Sequence, residues 1–320
     1  MNRNLCKQVI NNGGTLTPIL INSKDSNGLG LMNPSVYNDN GKLILNLRNV
    51  NYTLYHCENG QIFNNRWGPL AYLNPENDPH LRTTNFLCTF DENLYVKDFT
   101  KVDMRLDVKP IWEFVGLEDA RLVRWNSHLY MCGVRRDTTT NGEGRMEFTE
   151  LDSSRVEMYR HRIQPPKPTY CEKNWMPVID MPYHFVKWAN PTEVVKVDID
   201  KGTSESVVLK PGVGNLQNMR GGSQVITYND KRICLIHELN FFRNKLQQKN
   251  ATYTHRFVTW DMDWNIVNIS EPFSFMGGEI EFCCGMTEYK DDILVSFGFQ
   301  DNAAYLLKIP KQYFETICSN

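Results

Sequence analysis

The residues best suited to chemistry lie in one short segment, in which two carboxylates and an arginine follow a glycine. The segment runs from Phe114 to Arg121, and its carboxylates are Glu118 and Asp119. If it begins a β-strand, Asp119 and Arg121 point to one side of the sheet and Glu118 to the other. The arginine could then hold a phosphate while Asp119 exchanges a proton with a reacting hydroxyl. The alternative that spacing alone allows is a structural turn carboxylate paired with arginine.

Such a segment needs a scaffold, and five stretches of the chain repeat one pattern that would supply it. Each stretch has a small or polar start, an apolar run, a polar turn and a second apolar run, which is typical of a β-hairpin. Further hairpins are predicted between the stretches, at residues 194–209 and 256–269. The five repeats cover residues 33–48, 118–134, 174–188, 222–237 and 284–299.

The repeats, together with the scarcity of helical periodicity, predict an all-β fold. Two hairpins per repeat give four strands, which form one blade of a β-propeller. We therefore predict a five-bladed β-propeller with a central funnel, as a single domain over residues 1–320 with peripheral segments at about 1–30 and 311–320. The alternative is a two-sheet β-sandwich with accidental similarity among the repeats.

A propeller would bring distant parts of the chain together, because the inner strand of each blade lines the central funnel. His237 ends the apolar run of the fourth repeat, where the other repeats also place polar residues, and His255 is a weaker candidate of the same kind. The other polar residues predicted to converge are Asn33, Asp119, Asn174 and Ser223 at the repeat starts, and Arg48 and Asp301 at the ends of second strands.

Composition limits the classes of partner. Lys and Arg total 35 and Asp and Glu total 37, and the net charge of -2 produces no field that favours a polyanion. The nine cysteines include no Cys-x-x-Cys pair, and their apolar neighbours indicate reduced core thiols of a cytoplasmic protein. Without a signal sequence or an apolar run long enough to span a bilayer, no membrane partner is expected. The oligomeric state is left open.

Two Asp-x-Asp stretches, residues 198–200 and 261–263, resemble the triplet with which many nucleotide-sugar transferases hold a divalent metal. Both lie in predicted hairpin turns, where Asp is favoured because it hydrogen-bonds the local backbone. The chain also has no Rossmann glycine pattern, no Walker loop and no His/Glu zinc pattern. We therefore expect neither a metal ion nor a cofactor.

Four segments resemble a known enzyme family. Residues 116–121, Gly-Leu-Glu-Asp-Ala-Arg, are similar to the Gly-x-Glu-Asp-Pro-Arg signature of the five-bladed mannoside phosphorylases and the related protozoan β-mannosyltransferases, with Ala120 in place of proline. The other three similar segments, in the same order as in that family, are Asn33-Pro34 with the later Arg48, residues 172–177 (Glu-Lys-Asn-Trp-Met-Pro) and residues 296–301 (Ser-Phe-Gly-Phe-Gln-Asp). The resemblance extends in islands over about residues 33–310.

The resemblance implies roles for individual residues. Asp119 would be the acid/base catalyst, exchanging a proton with the glycosidic or acceptor oxygen while the anomeric centre is inverted. The residues predicted to bind the donor and its phosphate are Arg48, Arg121, Lys173, His237 and His255. The residues predicted to bind the sugar are Asn33, Asn174, Ser223 and Asp301.

The function expected on these grounds is an inverting, metal-independent glycosyltransferase. Its donor would be a sugar phosphate or a nucleotide sugar, and its hydroxyl acceptor a glycan, a protein or a modified nucleobase. A transferase is favoured because residues 221–223, 237–238 and 253–257 resemble propeller proteins found in glycosyltransferase contexts. The alternatives are a glycoside phosphorylase that cleaves a β-linked oligosaccharide with inorganic phosphate, a glycoside hydrolase, and a non-catalytic glycan-binding propeller.

Overall fold

The structure is a computed structural model that describes residues 3–26, 30–53, 63–65, 68–72, 80–104, 109–214, 216, 219–243 and 249–319. Within these ranges strands dominate and the three helices are short, so the predicted all-β class is confirmed. The helices are α1 (Leu5–Asn11), α2 (Ser23–Ser26) and α3 (Lys311–Ser319).

The strands in chain order are β1 (Arg3–Asn4), β2 (Thr15–Pro18), β3 (Leu31–Asp39), β4 (Lys42–Val50), β5 (Tyr52–Thr53), β6 (Phe63–Asn65), β7 (Gly68–Tyr72), β8 (Leu81–Phe90), β9 (Val96–Lys101), β10 (Phe114–Val115), β11 (Glu118–Trp125), β12 (His128–Arg135), β13 (Arg145–Leu151), β14 (Glu157–Arg162), β15 (Met176–Pro177), β16 (His184–Trp188), β17 (Thr192–Asp198), β18 (Thr203–Lys210), β19 (Met219–Gly221), β20 (Ile226–Tyr228), β21 (Lys231–Arg243), β22 (Lys249–Trp260), β23 (Ile266–Ile269), β24 (Phe273–Ser274), β25 (Glu281–Tyr289), β26 (Asp292–Phe299) and β27 (Ala303–Pro310).

Each predicted repeat forms an antiparallel hairpin in a sheet of its own. Two sheets are simple meanders, β11-β12-β13-β14 and β15-β16-β17-β18. A third has the order β2-β27-β26-β25, and a fourth has the order β10-β8-β4-β3 with β9 also paired to β8. The predicted hairpins at residues 194–209 and 256–269 are also present, as β17–β18 and β22–β23.

The sheets have a propeller-like arrangement, but the predicted count of five four-stranded blades is not confirmed. One sheet has seven strands, in the order β1-β24-β22-β21-β19 with β20 and β23 attached, and a separate small sheet has the order β5-β7-β6. The seven-stranded sheet is enlarged because β1 and β24 extend it and because its inner edge is divided between β19 and β20. Sequence repeats identify the central hairpins but not such additions.

The core lies between the faces of neighbouring sheets. Trp125 and Phe148 of the β11–β14 sheet pack against Phe185 of the β15–β18 sheet, with ring centroids 5.3 and 5.5 Å from that of Phe185. All three side chains are buried. Central strands such as β12 and β26 are buried along most of their length, and such nearly continuous buried strands give these sheets two buried faces.

The inner strands meet around the side chain of Gln224, which is fully buried. Its Nε2 donates to Ser35 Oγ at 3.1 Å, to the Val36 carbonyl at 3.2 Å and to the Leu122 carbonyl at 2.9 Å. Its Oε1 accepts from the Met286 N–H at 3.0 Å. The Gln224 amide therefore connects its own sheet to three other sheets at the centre of the molecule.

Both ends of the chain join the sheets. β2 pairs antiparallel with β27, so residues from the start of the chain complete the sheet formed by its last strands. Val9 of α1 and Phe314 of α3 are buried in one hydrophobic cluster. The assignment of one domain to residues 1–320 stays a prediction.

The two ends of the sheets differ. At one end, which we call the turn face, tight turns connect the strands at residues 39–42, 91–95, 125–128, 152–156, 198–203, 228–231, 261–266 and 289–292. At the other end, the funnel face, the starts of β3 and β11 meet, and the connections include three-residue links, at 189–191 and 300–302, and a nine-residue link between β12 and β13. The site residues described below lie at the funnel face.

The described helices are short, and the described cysteines form no disulfide. α3 is the longest of the described helices with nine residues, and none of them has the length and apolarity needed to cross a bilayer. All eight described cysteines are free thiols, and six are buried. Burial raises the pKa of Cys132, so that thiol stays protonated and behaves as an apolar core group.

Candidate active site

Asp119 lies near the start of β11, where a β-bulge interrupts the strand. The register with β12 shifts between Glu118 and Arg121, and the backbone of Asp119 is left-handed, with a φ of 50°. Its Oδ1 accepts hydrogen bonds from Asn33 Nδ2 and from Arg48 Nη1, both at 2.8 Å. The side chain keeps 16% of its surface exposed, so the carboxylate is held firmly yet accessible.

Two other repeat starts use the same backbone conformation. β3 is bulged between Met32 and Ser35, and Asn33 within the bulge has a φ of 43°. Asn174, two residues before β15, has a φ of 62°. Asn and Asp are the residues that tolerate this region best after glycine. The polar starts of three repeats therefore depart from strand alternation in a common way.

The prediction that Glu118 and Asp119 face opposite sides of the sheet is wrong. Arg48 contacts both, because its Nη2 lies 3.4 Å from Glu118 Oε2 while its Nη1 binds Asp119. A bulge adds one residue to a strand and re-aims the side chains beside it, so the alternation rule fails there. On its other side Glu118 Oε1 lies 3.9 Å from Arg136 Nε.

Arg48 acts as a clamp on Asp119 in this structure. Only 4% of the residue is exposed. Its Nε donates to Thr83 Oγ1 at 3.1 Å and its Nη2 to the Tyr52 hydroxyl at 2.9 Å, in addition to the contacts with the two carboxylates. Much of its donor capacity is thus used within the protein, and its binding to a donor phosphate stays a prediction.

Arg121 lies beneath the site. It is 1% exposed, its Nε donates to the Gly222 carbonyl at 2.8 Å, and its Nη1 donates to the Asp119 carbonyl at 2.7 Å. The guanidinium also lies 5.5 Å from the ring centroid of Phe282. These contacts brace the left-handed backbone of Asp119, and the predicted contact with donor phosphate stays untested.

The pKa values of Asp119 and Asp301 are shifted in opposite directions. Burial by itself would raise the pKa of Asp119, but Arg48, Arg121 and the hydrogen bond from Asn33 hold it below its ordinary value. Burial raises the pKa of Asp301 to about 6, against the opposing charge of Arg48 and with a contribution from Asp119. Asp119 is therefore ionised at neutral pH, whereas Asp301 changes its protonation state at about pH 6. Carboxylates whose environments separate their pKa values are typical of acid/base sites.

Lys173 is the exposed cation of the site. Glu172 beside it is buried and accepts hydrogen bonds from Thr169 Oγ1 and Trp175 Nε1, both at 2.8 Å, and lies 3.2 Å from Lys187 Nζ. This anchors the segment but leaves Lys173 without a hydrogen bond or ion pair to any described residue. Its positive charge helps to lower the pKa of Asp119. An ammonium in this position can receive an anion.

The two predicted histidines differ in position. His237 stacks on Tyr253 at 5.5 Å and meets Phe282 edge-on at 4.8 Å. Burial, His255 and nearby cations lower the pKa of His237 well below its ordinary value, so it is neutral. His255 is fully buried beside Phe275, and burial lowers its pKa to about 3. This position makes His255 a core residue that supports His237; its contact with the donor stays a prediction.

Two residues of this region were missed in the sequence. Arg220 lies opposite His237 in the register of β19 and β21 and is half-buried, and its side chain has no hydrogen bond or ion pair with another described residue. Burial, together with Asp301 and Asp119, raises the pKa of Tyr253, which lies on the neighbouring strand β22. Nothing within residues 219–221 marks Arg220 as functional, because only the pairing with β21 brings it to the site.

The remaining predicted sugar-binding residues are mostly buried. Ser223 is fully buried, donates to the Gln224 carbonyl at 2.7 Å and accepts from the Leu235 N–H at 2.9 Å, so its hydroxyl is engaged by the backbone. Asn33 and Asn174 are 4% and 6% exposed, and the buried Oδ1 of each has no hydrogen-bond donor among the described residues. Their predicted contacts with a sugar stay predictions.

The Asp-x-Asp stretches lie in hairpin turns of the turn face. Asp198 Oδ1 accepts from the Lys201 N–H at 3.1 Å, and Asp261 Oδ1 accepts from the Asp263 and Asn265 N–H groups at 3.0 and 2.8 Å. These carboxylates serve the local backbone, as the turn interpretation predicts. In the part of the chain that the structure describes, no group of three or more His, Cys, Asp or Glu is placed to hold a metal ion.

Comparison with known proteins shows the fold. Neither a protein-family model nor a curated protein sequence matches this chain. Among solved structures, β-1,2-mannobiose phosphorylase from Listeria innocua superposes with a TM-score of 0.54 at 12% identity, covering 91% of this chain and 92% of that one.

Two proteins from Leishmania mexicana are similar in the same way. A mannose phosphorylase, solved in complex with a phosphate ion, has a TM-score of 0.55 at 11% identity and covers 97% of this chain and 93% of its own. A GDP-Man-dependent mannosyltransferase has a TM-score of 0.57 at 13% identity and covers 92% and 90%. At such identities the likeness establishes a common fold.

Proposed function

We propose that this protein is an inverting glycosyltransferase that moves a sugar from a sugar phosphate or nucleotide sugar to a hydroxyl acceptor, with Asp119 as its base. The observation that carries the proposal is the Asp119 carboxylate, fixed on Oδ1 by Asn33 and Arg48 and still accessible at the funnel face. The structures compared above, two phosphorylases of mannobiose or mannose and a GDP-Man-dependent mannosyltransferase, carry out sugar transfer on the same scaffold and so support the proposal.

The charge state of Asp119 favours transfer to a hydroxyl. An ionised carboxylate can accept a proton but cannot donate one, and the pKa of Asp119 lies below its ordinary value. In the proposed step the acceptor oxygen attacks the anomeric carbon while its proton passes to Asp119. The bond from that carbon to the donor phosphate oxygen breaks, its electron pair leaves with the phosphate, and the configuration inverts.

The leaving phosphate needs positive charge that is not already engaged. Lys173 and Arg220 meet this condition among the described residues, whereas Arg48 and Arg121 are committed to Asp119. We therefore assign the first contact with the donor phosphate to Lys173 and Arg220, which act as charges rather than proton donors. Once it is ionised, the Asp301 carboxylate would accept hydrogen bonds from hydroxyls of the transferred sugar.

The second candidate function is phosphorolysis of a β-linked glycoside. It uses the same residues in the opposite direction, and the phosphate-bound structure from Leishmania mexicana shares the fold. That reaction needs a protonated Asp119 at the start, which the clamp by Arg48 opposes. A glycoside hydrolase has support from the fold as well, because the similar solved structures include a glycosyl hydrolase from Bacteroides ovatus and one described among glycoside hydrolases that target beta-1,2 mannosidic linkages. A non-catalytic glycan-binding propeller has no specific observation in its favour.

The experiment is a panel of nucleotide sugars and sugar phosphates, each incubated with neutral glycan acceptors in buffer containing EDTA. The expected result is acceptor-dependent release of nucleotide or phosphate, with a product of inverted anomeric configuration by NMR. Release of a sugar phosphate from a β-linked disaccharide and phosphate, without transfer from any donor, would establish the phosphorylase instead. Activity that disappears in EDTA and returns with manganese would contradict the metal-independent mechanism.

A further inference from the structure

Gly298 of β26 lies against Asn33, which belongs to the neighbouring sheet. A methyl group built on Gly298 would overlap Asn33 Oδ1 and would lie 2.7 Å from the Asn33 backbone nitrogen. The φ of Gly298 is not positive, and the residue pairs regularly with Phe282 of β25 and Ala304 of β27. Any residue could therefore adopt the backbone of Gly298, and what excludes a side chain is the space that Asn33 occupies.

This close approach orients the side-chain amide of Asn33. Its Oδ1 is buried beside Gly298 and has no hydrogen-bond donor among the described residues, while its Nδ2 donates to Asp119 Oδ1 at 2.8 Å. An ionised carboxylate only accepts hydrogen bonds, so the amide has to present its NH2 group to Asp119 and its oxygen to the opposite side. The hydrogen that glycine carries in place of a side chain leaves room for that oxygen.

Two further glycines make room for the other left-handed residues at strand starts. A methyl group on Gly221 of β19 would overlap the carbonyl oxygen of Asn174, and one on Gly133 of β12 would overlap the carbonyl oxygen of Glu118, next to Asp119. Neither glycine has a positive φ. A bulge or a left-handed residue bends its strand out of the regular path, and the neighbouring strand then has to leave room. The same device thus recurs around the funnel face.

We propose that Gly298 is a positioning residue for the proposed base, because the space it leaves allows the Asn33 amide to hold the Asp119 carboxylate. The inference rests on the proposed function of Asp119 and extends it to a buried residue that acts on the reaction only through another side chain. A side chain at position 298 should therefore change the carboxylate and leave the proposed donor contacts, Lys173 and Arg220, in place.

The expected change is a higher pKa of Asp119. The hydrogen bond from Asn33 favours the ionised carboxylate and lowers its pKa, so displacing the amide removes that contribution. The three atoms nearest to a methyl group on Gly298 all belong to Asn33, so the other groups that influence Asp119 should keep their contributions. Those groups are Arg48 on β4, Tyr52 on β5, Glu118 and Arg121 on β11, Lys173 before β15, Tyr253 on β22, Cys284 on β25 and Asp301 after β26.

The test compares Gly298→Ala with Gly14→Ala. Gly14 is also buried and without a positive φ, and a methyl group there would overlap the Lys308 carbonyl oxygen and the Val9 side chain, at the outer edge of its sheet. A base works only while it is ionised, so turnover falls as the pH drops through its pKa. Gly298→Ala should move this acidic limb of kcat to higher pH by about one to two units and change the donor KM by less than about twofold. Gly14→Ala should cost stability and leave the pH profile unchanged.

A double variant separates the amide from general packing. Asn33→Gly removes the amide, and glycine tolerates the φ of 43° at this position. It should shift the acidic limb as far as Gly298→Ala does, and the double variant should shift it no further, because both substitutions break one hydrogen bond. Additive shifts would overturn the inference. If Gly298→Ala alone does not fold, the double variant should recover folding, since the overlap with Oδ1 is gone. A double variant that stays unfolded would make Gly298 a packing residue and would overturn the inference as well.

Titration of the carboxylates by NMR keeps the test independent of turnover. With isotope-labelled aspartate, the signal of Asp119 is the one missing from Asp119→Asn, and its pKa should rise in Gly298→Ala. If no donor supports glycosyl transfer but this pKa rises, the proposed function fails and the positioning of the carboxylate stands. An Asp119 pKa that is the same in Gly298→Ala and in the wild type would overturn the inference whether or not the enzyme transfers sugar.

Discussion

The turn face and the funnel face are opposite ends of the same strands, yet they use carboxylates in opposite ways. On the turn face Asp152 Oδ1 accepts from the Ser154 and Val156 N–H groups at 2.8 and 2.9 Å, and Asp91 does the same for Asn93 and Tyr95. On the funnel face Asp119 is held by side chains from β3 and β4, which belong to another sheet. Local contacts hold the carboxylates at one end, and long-range contacts position the proposed base at the other.

The hairpin turns of the turn face and the bulged strand starts of the funnel face use left-handed residues differently. At the turn face Asn40, Asn126 and Asn229 take positive φ values to close short hairpin turns, where this conformation matches the twist of the strands. At the funnel face Asn33 and Asp119 take it at strand starts, where it disrupts pairing. Such conformations away from turns cost stability and persist where the surroundings enforce them, often at functional sites.

The largest expected effect is the loss of turnover when the base proposed at the funnel face is removed. Asp119→Asn keeps the size and most hydrogen bonds of the side chain but cannot take a proton, so turnover should fall about 10²- to 10⁴-fold, or roughly 3–5 kcal/mol of barrier. Steady-state kinetics and circular dichroism measure turnover and folding. A variant that folds and retains full turnover would place the base elsewhere.

Glu118→Gln is the matched comparison within the site. Glu118 contacts the same guanidinium at 3.4 Å rather than 2.8 Å, so it should contribute to positioning and its loss should cost less turnover than Asp119→Asn. The reverse order of the two effects would make Glu118 the catalytic carboxylate.

The second effect concerns stability and pH. The folded-state pKa of Asp301 is raised to about 6 from 3.8, so its contribution to stability is fully present below about pH 3.8 and is lost as the pH rises through about 6. Asp301→Asn removes this titration. Near pH 8 the free energy of unfolding of the variant should therefore exceed that of the wild type by about 1–3 kcal/mol, and the difference should shrink as the pH falls. Urea denaturation at several pH values measures it, and a constant difference would contradict the assignment.

The third effect is on donor binding, and it tests whether Lys173, which has no ion-pair partner among the described residues, contacts the donor. Lys173→Ala should raise the donor KM about tenfold while turnover changes less, because a contact equal in the ground and transition states contributes to binding alone. Lys201→Ala, which removes an exposed turn-face lysine, is the control. A donor KM that is unchanged in Lys173→Ala removes Lys173 from the donor site.

The smallest expected effect is on stability alone, when a carboxylate of the turn face is removed. Asp152→Ala removes two local hydrogen bonds at a turn and should lower the free energy of unfolding by about 1 kcal/mol without altering kcat or KM. Thermal denaturation and kinetics on the same preparation test this. A loss of activity at unchanged stability would mean that the turn face communicates with the site.

Much of the turn face could be predicted from the sequence, because its causes act within a few residues. Turn residues such as Asn40-Gly41 and Asn229-Asp230 specify hairpins by backbone preference, and the apolar runs beside them specify strands. The all-β class and the paired hairpins followed from these signals. The hairpin-turn interpretation of the Asp-x-Asp stretches has the same local basis.

The funnel face was predictable only in part. Residue type and resemblance selected Asp119, Asn33 and Arg48, and their mutual contacts are present in the structure. The bulge that brings Glu118 to Arg48 has no signal in a strand alternation rule, and neither does the burial of Arg121 under the site.

By itself the sequence determined which segments form hairpins and which polar residues stand at their ends, because short-range backbone preferences and apolar alternation are written into neighbouring residues. Only the tertiary structure decided which of those residues meet. Arg220 and Tyr253 reach the site through the pairing of β19, β21 and β22, and Gln224 reaches the axis through contacts with three other sheets. Pairing and packing between distant segments depend on the whole chain closing around one axis, so no local pattern specifies them.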